Sequence, residues 1–169
     1  AAASQQAIHL PELNGLQLIN LEVIIQYLRQ LLVLDRQLTP FTILGLEEDV
    51  VLPYTIHSIG INTTLGGRID RLDMITDEHG ADLIRVVDYK TGSRRLTALK
   101  DVDDIFNPSQ LRNHNDYYLQ ALLYARLVTT SMQLSSYLQT NTPVAPALLF
   151  IQHAGVEGYD PILRFGQEP

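Results

Sequence analysis

The sequence predicts a single α/β (α+β) domain in which a central mixed β-sheet is flanked by helices. Three features predict it: an apolar helical repeat near the start, a run of Val- and Ile-rich strands, and a second helix followed by further strands. This order is typical of a sandwich that packs helices against a sheet. With 169 residues the chain can bury one core, so we expect residues 1–169 to form one domain, either alone or as a fragment of a longer protein.

The first helix is predicted over residues 16–37. Apolar residues recur there at spacings of three and four, and Pro40 ends the pattern. We expect this helix to be largely buried. Polar residues such as Glu22 and Arg29 interrupt the segment too often for a membrane span, and no leader-like segment opens the chain. We therefore expect a soluble protein with no membrane partner. The absence of cysteine favours a reducing, cytoplasmic setting.

The strands are predicted from runs rich in β-branched and aromatic residues, over 41–52, 54–59, 62–75 and 82–90. The turn at residues 77–80 would fold the last two into a hairpin. A long irregular stretch follows over 91–115, and loops of this length are commonly functional. Asp116 is expected to cap a second helix that runs to about Met132. A last hairpin is expected from 147–153 and 159–165, with its turn at 155–158.

Composition excludes several kinds of site. The chain has no cysteine, so disulfides, zinc–thiolate sites and an iron–sulfur cluster are excluded in this chain. The net charge of −7 argues at first against a nucleic-acid partner. Positive residues are nevertheless gathered in the middle of the chain: Arg68, Arg71, Arg85, Lys90, Arg94, Arg95 and Lys100. Either this is a solvated basic loop, or the charge surrounds a site for an anionic substrate.

The candidate site lies in two segments, Gly67-Arg68-Ile69-Asp70-Arg71-Leu72-Asp73 and Asp88-Tyr89-Lys90-Thr91-Gly92. Strand alternation places Asp88 and Lys90 on one face, and the hairpin would bring Asp70 beside them. Two carboxylates with an ammonium group suit a divalent cation and an activated water. This combination favours a phosphodiester-cleaving site. The structural alternative is that Asp70 and Asp88 form salt bridges with Arg68 and Lys90.

Two further groups of residues follow from the same periodicities. Asp73 falls on the opposite face from Asp70, so we expect it to form a structural salt bridge with Arg71 or Arg85. On the second helix, one flank carries Tyr117, Gln120 and Tyr124, while the core face carries Tyr118, Ala121, Leu122, Ala125 and Val128.

The ordered motifs resemble those of PD-(D/E)xK nucleases of the RecB and AddB type. The matching segments are residues 67–73, residues 88–92, the Gln120-Ala-Leu-Leu-Tyr124 segment and, upstream, Leu46-Glu47. Together they cover about residues 43–130 in the family's order, and they imply a restriction-endonuclease-like core. The chain departs from the pattern at the Gly-x-x-His motif of the first helix, because the only upstream histidine, His9, has a different context.

The resemblance implies roles for these residues. Asp70, Asp88 and Lys90 would be catalytic. Asp70, Asp88 and the backbone carbonyl of Tyr89 would hold one or two Mg²⁺ or Mn²⁺ ions, and Glu47 is a further candidate ligand. Gln120 and Tyr124 would support the site or contact DNA, and Arg94, Arg95 and Lys100 would meet phosphates.

Three hypotheses remain open from the sequence. The first is a metal-dependent deoxyribonuclease, a RecB-like exonuclease that serves recombination or repair alongside a helicase. The second is a catalytically inactive descendant of the same fold that binds DNA or scaffolds a complex. The third is another class of protein with a chance motif match. The chain has no Gly-x-Ser-x-Gly elbow and no Walker A sequence, so neither a serine hydrolase nor ATP binding is expected.

Overall fold

The computed structural model describes residues 14–76, 79–92, 96, 98–109, 115–131, 142–153 and 156–166. The regular elements in these ranges are α1 (Gly15–Leu38), β1 (Thr42–Ile56), β2 (Ile61–Thr76), β3 (Asp82–Lys90), α2 (Asn115–Thr130) and β4 (Val144–Phe150). Short 3₁₀ helices occupy Asp103–Phe106 and Ile151–His153.

The four strands form one mixed sheet in the order β1-β2-β3-β4. The first three strands are antiparallel neighbours, and β4 runs parallel to β3. Thr76 pairs with Asp82, so β2 and β3 form the expected hairpin. The predicted mixed sheet with flanking helices is therefore confirmed, as is the restriction-endonuclease-like architecture that the resemblance implied.

The prediction of two separate strands over 41–52 and 54–59 is wrong, because β1 is continuous through Pro53. A proline has no N–H to donate, which is tolerated on an edge strand because one side of that strand has no partner. Residues 57–60 form the turn to β2, so Ile59 lies outside the strand.

The predicted final hairpin is also wrong. β4 ends at Phe150, and residues 151–153 form a 3₁₀ helix. Among the described residues after that point, the returning segment makes one isolated antiparallel bridge to β4, between Ile162 and Ala147. Pro146 and Pro161 flank this bridge and accept hydrogen bonds through their carbonyls but have no N–H to extend the ladder.

The second helix begins at Asn115, and Asp116 lies in its first turn. The helix ends at Thr130, and Met132 lies outside the described residues. The predicted core face packs inward, with Tyr118, Ala121, Ala125 and Val128 buried and Leu122 partly buried.

The helices cover opposite faces of the sheet. α2 packs on the face that carries Leu72, Ile84, Val86, Leu148 and Phe150. α1 packs on the face that carries Val87, Ala147 and Leu149, through Tyr27, Leu31, Leu34 and Leu38. The chain therefore forms three layers, with the sheet between the two helices.

The prediction that the first helix is largely buried is wrong. Leu34 is its one buried residue, and apolar side chains along the rest of the helix are exposed. The reason is that one stripe of α1 contacts the sheet, mostly near its C-terminal end, while the other sides face no described element. In the part of the chain that the structure describes, neither helix combines the length and the apolarity that a bilayer crossing needs.

Candidate active site

Asp70 and Asp88 lie where β2 and β3 separate. The ladder between these strands ends at the pair Arg71 and Val87, and Asp70 and Asp88 are the next residues on each side. The backbone N–H of Tyr89 donates a hydrogen bond of 2.8 Å to Oδ2 of Asp70. The carboxylate of Asp70 thereby closes the gap between the strands and lies close enough to act electrostatically on Asp88.

Lys90 lies next to Asp88 on the α2 side of the sheet. Its Nζ is 2.5 Å from Oδ2 of Asp88, and these side chains are 14% and 8% exposed. The contact is a close ion pair that buries Oδ2 of Asp88. Burial raises the pKa of Asp88, Lys90 lowers it, and the neighbouring charge of Asp70 raises it further.

This arrangement fits a hard divalent cation. The buried carboxylate of Asp88, beside the carboxylate of Asp70, provides the oxygen ligands that Mg²⁺ and Mn²⁺ prefer. Among the described residues, no group of three His, Cys, Asp or Glu side chains gathers around a common point. Mg²⁺ commonly binds through one or two carboxylates and keeps several waters, so two carboxylates are sufficient.

Side chains of α2 hold Lys90 from the other side. Lys90 Nζ donates to Oε1 of Gln120 at 3.2 Å and lies 4.2 Å from the centre of the Tyr117 ring. Gln120 Nε2 in turn donates to the hydroxyl of Tyr124 at 3.4 Å. The structure therefore brings together Asp70, Asp88 and Lys90 with the polar flank of α2 that the sequence singled out.

Gly67 contributes to the site in a way that the sequence analysis missed. A Cβ at this position would overlap the hydroxyl and ring of Tyr124, so glycine leaves room for the Tyr124 side chain against β2. The signal was present in the sequence, because a glycine pair inside a strand often marks close approach of another group.

A second ionic cluster lies on the opposite face of the sheet, under α1. Asp73 is fully buried and contacts both candidate partners, Arg71 at 2.9 Å and Arg85 at 2.6 Å. The predicted structural salt bridge of Asp73 is confirmed, with both arginines taking part. The placement of Arg71 and Arg85 around the catalytic site is wrong, because strand alternation sends them to the other face.

Arg71 links this cluster to α1 and to the site. Its Nη1 donates to Asp35 at 2.6 Å and to the Tyr89 hydroxyl at 2.9 Å. Burial lowers the pKa of Arg71, but the hydrogen bond with Asp35 and the nearby negative charges outweigh it, so the net shift is upward. Burial also raises the pKa of the Tyr89 hydroxyl. The role of Asp35 was not foreseen, because it lies on a distant helix.

Arg68 pairs with Asp49 and not with Asp70. Its guanidinium donates two hydrogen bonds of 2.9 Å to that carboxylate on the exposed surface of β1 and β2. This hydrogen-bonded partner lowers the pKa of Asp49. The alternative in which Arg68 neutralises Asp70 is therefore wrong, whereas the pairing of Asp88 with Lys90 is present.

The remaining candidates lie at the margin of the site or outside the described residues. Glu47 is exposed, with a φ of 53°, and lies between the pairs Leu46–Arg71 and Glu48–Ile69, at the level of Asp70. Its negative charge contributes to the raised pKa of Arg68, whose main cause is the hydrogen bond with Asp49. Lys100 is exposed, and its backbone N–H donates to Asp104. Arg94 and Arg95 lie outside the described residues.

Two carboxylates and a lysine lie together where two adjacent strands of a mixed sheet separate, which is the arrangement that the motif resemblance to nucleases implied. The family model of the PD-(D/E)XK nuclease superfamily matches residues 1–166, so this chain belongs to that superfamily. The recognition based on the motifs is thereby confirmed.

A curated relative points in the same direction. The chain is 40% identical over 60 residues to a subunit of the ATP-dependent helicase/deoxyribonuclease of Alkaliphilus metalliredigens (strain QYMF). The similarity covers 36% of this chain and 5% of the relative, so the chain spans only a small part of that protein's length.

Proposed function

We propose that this chain hydrolyses DNA phosphodiester bonds as a metal-dependent, RecB-like exonuclease. The observation that carries the proposal is the group of Asp70, Asp88 and Lys90, in which the buried carboxylate of Asp88 lies beside the carboxylate of Asp70 and the ammonium group of Lys90. DNA as the substrate and a helicase as the partner are supported by the name of the relative, which describes part of a helicase/deoxyribonuclease. A role in recombination or repair belongs to the same proposal.

Asp70 and Asp88 would hold the cation, Mg²⁺ or Mn²⁺, together with the backbone carbonyl of Tyr89. When bound, the cation would lower the pKa of a water molecule and neutralise charge on the scissile phosphate. The hydrogen bond from Tyr89 N–H orients the carboxylate of Asp70 before any cation arrives. Glu47 would be a further ligand from the neighbouring strand.

Lys90 would stabilise the negative charge that develops on the phosphate oxygens or hold the attacking water. Asp88, the Gln120 oxygen and the Tyr117 ring all surround its ammonium group. These contacts restrict the rotamers of a side chain that is otherwise flexible. Gln120 and Tyr124 are therefore positioning residues for Lys90 or contacts for the DNA strand that reaches it.

Arg94, Arg95 and Lys100 would contact phosphates further along the strand. Such contacts position the DNA without reading its sequence, and they make binding weaker as salt increases.

The experiment that tests this function follows the degradation of end-labelled linear DNA by the purified chain with Mg²⁺, Mn²⁺ or a chelator. We expect activity only with a divalent cation, and Lys90→Ala should abolish it. Arg126→Ala is the matched control, because it removes one positive charge from an exposed position of α2. Covalently closed circular DNA should resist an exonuclease.

Equal activity of wild type and Lys90→Ala, or activity in the presence of the chelator, would refute the proposed mechanism. Cation-independent DNA binding by a wild-type chain without activity would instead favour the inactive DNA-binding or scaffolding domain.

A further inference from the structure

Apolar residues lie on most sides of α1, and only one stripe of them packs on the sheet. The packed stripe consists of Tyr27, Leu31, Leu34 and Leu38. A second stripe, which we call the outer stripe, consists of Leu18, Leu21, Ile25, Leu28 and Leu32. At about 3.6 residues per turn, the centres of the two stripes lie roughly 130° apart around the helix. The outer stripe therefore points away from the sheet.

Every residue of the outer stripe except Ile25, which is partly buried, is exposed. Leu18 is 53% exposed, Leu28 is 55% exposed and Leu32 is 69% exposed. A continuous apolar surface of this kind is characteristic of an interaction site.

The spacing within the outer stripe is that of a coiled coil. Its residues follow one another at intervals of three, four, three and four, which places them at positions a, d, a, d and a of a heptad repeat. This spacing aligns the side chains along one seam and suits packing against another helix. The next d position is Asp35, a charged residue that accepts a hydrogen bond from Arg71, so the apolar stripe ends before it.

The charges beside the outer stripe favour one arrangement of a partner helix. Glu22 and Arg29 both occupy position e, one heptad apart. In an antiparallel pair of identical helices, the e flank of one helix faces the e flank of the other. In one register, Leu21 packs against Leu32 of a second copy, and Ile25 packs against Leu28 of that copy. The same register places Glu22 close to Arg29 of the second copy. Two-fold symmetry forms this charge pair twice.

A parallel pair lacks this match. Position e then faces position g, where the helix carries Gln17, Ile24 and Leu31. Glu22 also accepts a hydrogen bond of 2.8 Å from Gln26, which restrains its carboxylate along the helix.

We propose that a second copy of this chain binds the outer stripe, so that two α1 helices pair antiparallel around a two-fold axis. The pairing is independent of the proposed nuclease chemistry, because neither the outer stripe nor its charges contribute to the catalytic site.

The first test is a charge-reversal cycle on the 169-residue chain, followed by light scattering or sedimentation. We expect a wild-type mass of twice 19.0 kDa. Glu22→Arg and Arg29→Glu should each weaken association about tenfold, because each places like charges opposite one another twice. The double variant should restore it. Gln30→Glu is the control. Position f lies on the side of the helix opposite the outer stripe, so this change should leave association unchanged.

The second test measures helix orientation, using the absence of native cysteine. Leu16→Cys and Gln30→Cys each place a single spin label at position f. At 1.5 Å of rise per residue, antiparallel pairing predicts an axial separation between the two labels of about 30 Å at position 16 and about 10 Å at position 30. A parallel pair would give equal distances at both positions. A monomeric wild-type chain, equal label distances, or single charge reversals without effect would each overturn the proposal.

Discussion

The carboxylate of Asp70 accepts a hydrogen bond of 2.8 Å from the backbone N–H of Tyr89. Because Tyr89 directly follows Asp88, this bond determines how β3 continues after its ladder with β2 has ended, and it keeps the two carboxylates adjacent. The side chain of Tyr89 is held on the other face of the sheet, where its hydroxyl accepts from Arg71. One residue thus connects the catalytic face with the ionic cluster under α1.

The effect of Asp88 on stability should depend on pH and on the cation. Burial raises its pKa in the folded protein, so its stabilising contribution is present below the unfolded pKa and is lost as pH rises through the folded pKa. A cation that binds the ionised carboxylate offsets this loss. We therefore expect Mn²⁺ to raise the thermal midpoint more at about pH 8 than at about pH 5.

Asp88→Asn should abolish this Mn²⁺-dependent rise in the thermal midpoint. Asp49→Asn is the matched control, because Asp49 is an exposed carboxylate paired with Arg68. An Asp88→Asn variant that is stabilised as much as wild type would place the cation elsewhere.

Gly67→Ala should impair catalysis without unfolding the protein. The added methyl group would displace the Tyr124 ring and, through it, Gln120 and Lys90. We expect a loss of about tenfold or more in kcat, since small misplacements in a site carry a large cost in rate. Gly92→Ala, at an open position near the same site, should retain activity. Equal rates for both variants would contradict this role of Gly67.

Arg71→Met should destabilise the fold far more than Arg68→Met, although both arginines flank Asp70. Arg71 is 2% exposed. Its removal breaks the ion pair with buried Asp73 and the ion pair with Asp35. Removal of one member of a buried ion pair costs about 3–5 kcal/mol, which urea unfolding measures. Arg68 is exposed, so its variant should unfold almost as wild type does. Similar unfolding midpoints would show that the buried cluster is dispensable.

Tyr89→Phe should separate stability from catalysis. It removes the hydroxyl that accepts from buried Arg71, at a cost of about 1–3 kcal/mol in the free energy of unfolding. Its backbone N–H and carbonyl remain, so nuclease activity below the unfolding temperature should be close to wild type. Lost activity with unchanged stability would show that the hydroxyl acts in the reaction.

Local patterns predicted much of the fold and of the candidate site. The bounds of β3 follow from its Val- and Ile-rich run after Gly80. Strand alternation placed Asp88 with Lys90, and it placed Asp73 on the opposite face, where Arg71 or Arg85 was expected to pair with it. The helical spacing of Gln120 and Tyr124 likewise placed them on one flank. These features depend on the periodicity of a single element, which the order of residues contains directly.

Tertiary structure alone decided which partners those faces meet. It showed that β4 pairs parallel to β3, that Asp35 reaches Arg71 from a distant helix, that Gly67 makes room for Tyr124, and that the outer stripe of α1 stays exposed. The physical reason is that periodicity shows which side of an element is apolar or charged. The group that covers that side comes from a remote part of the chain, and its position depends on how all the elements pack together.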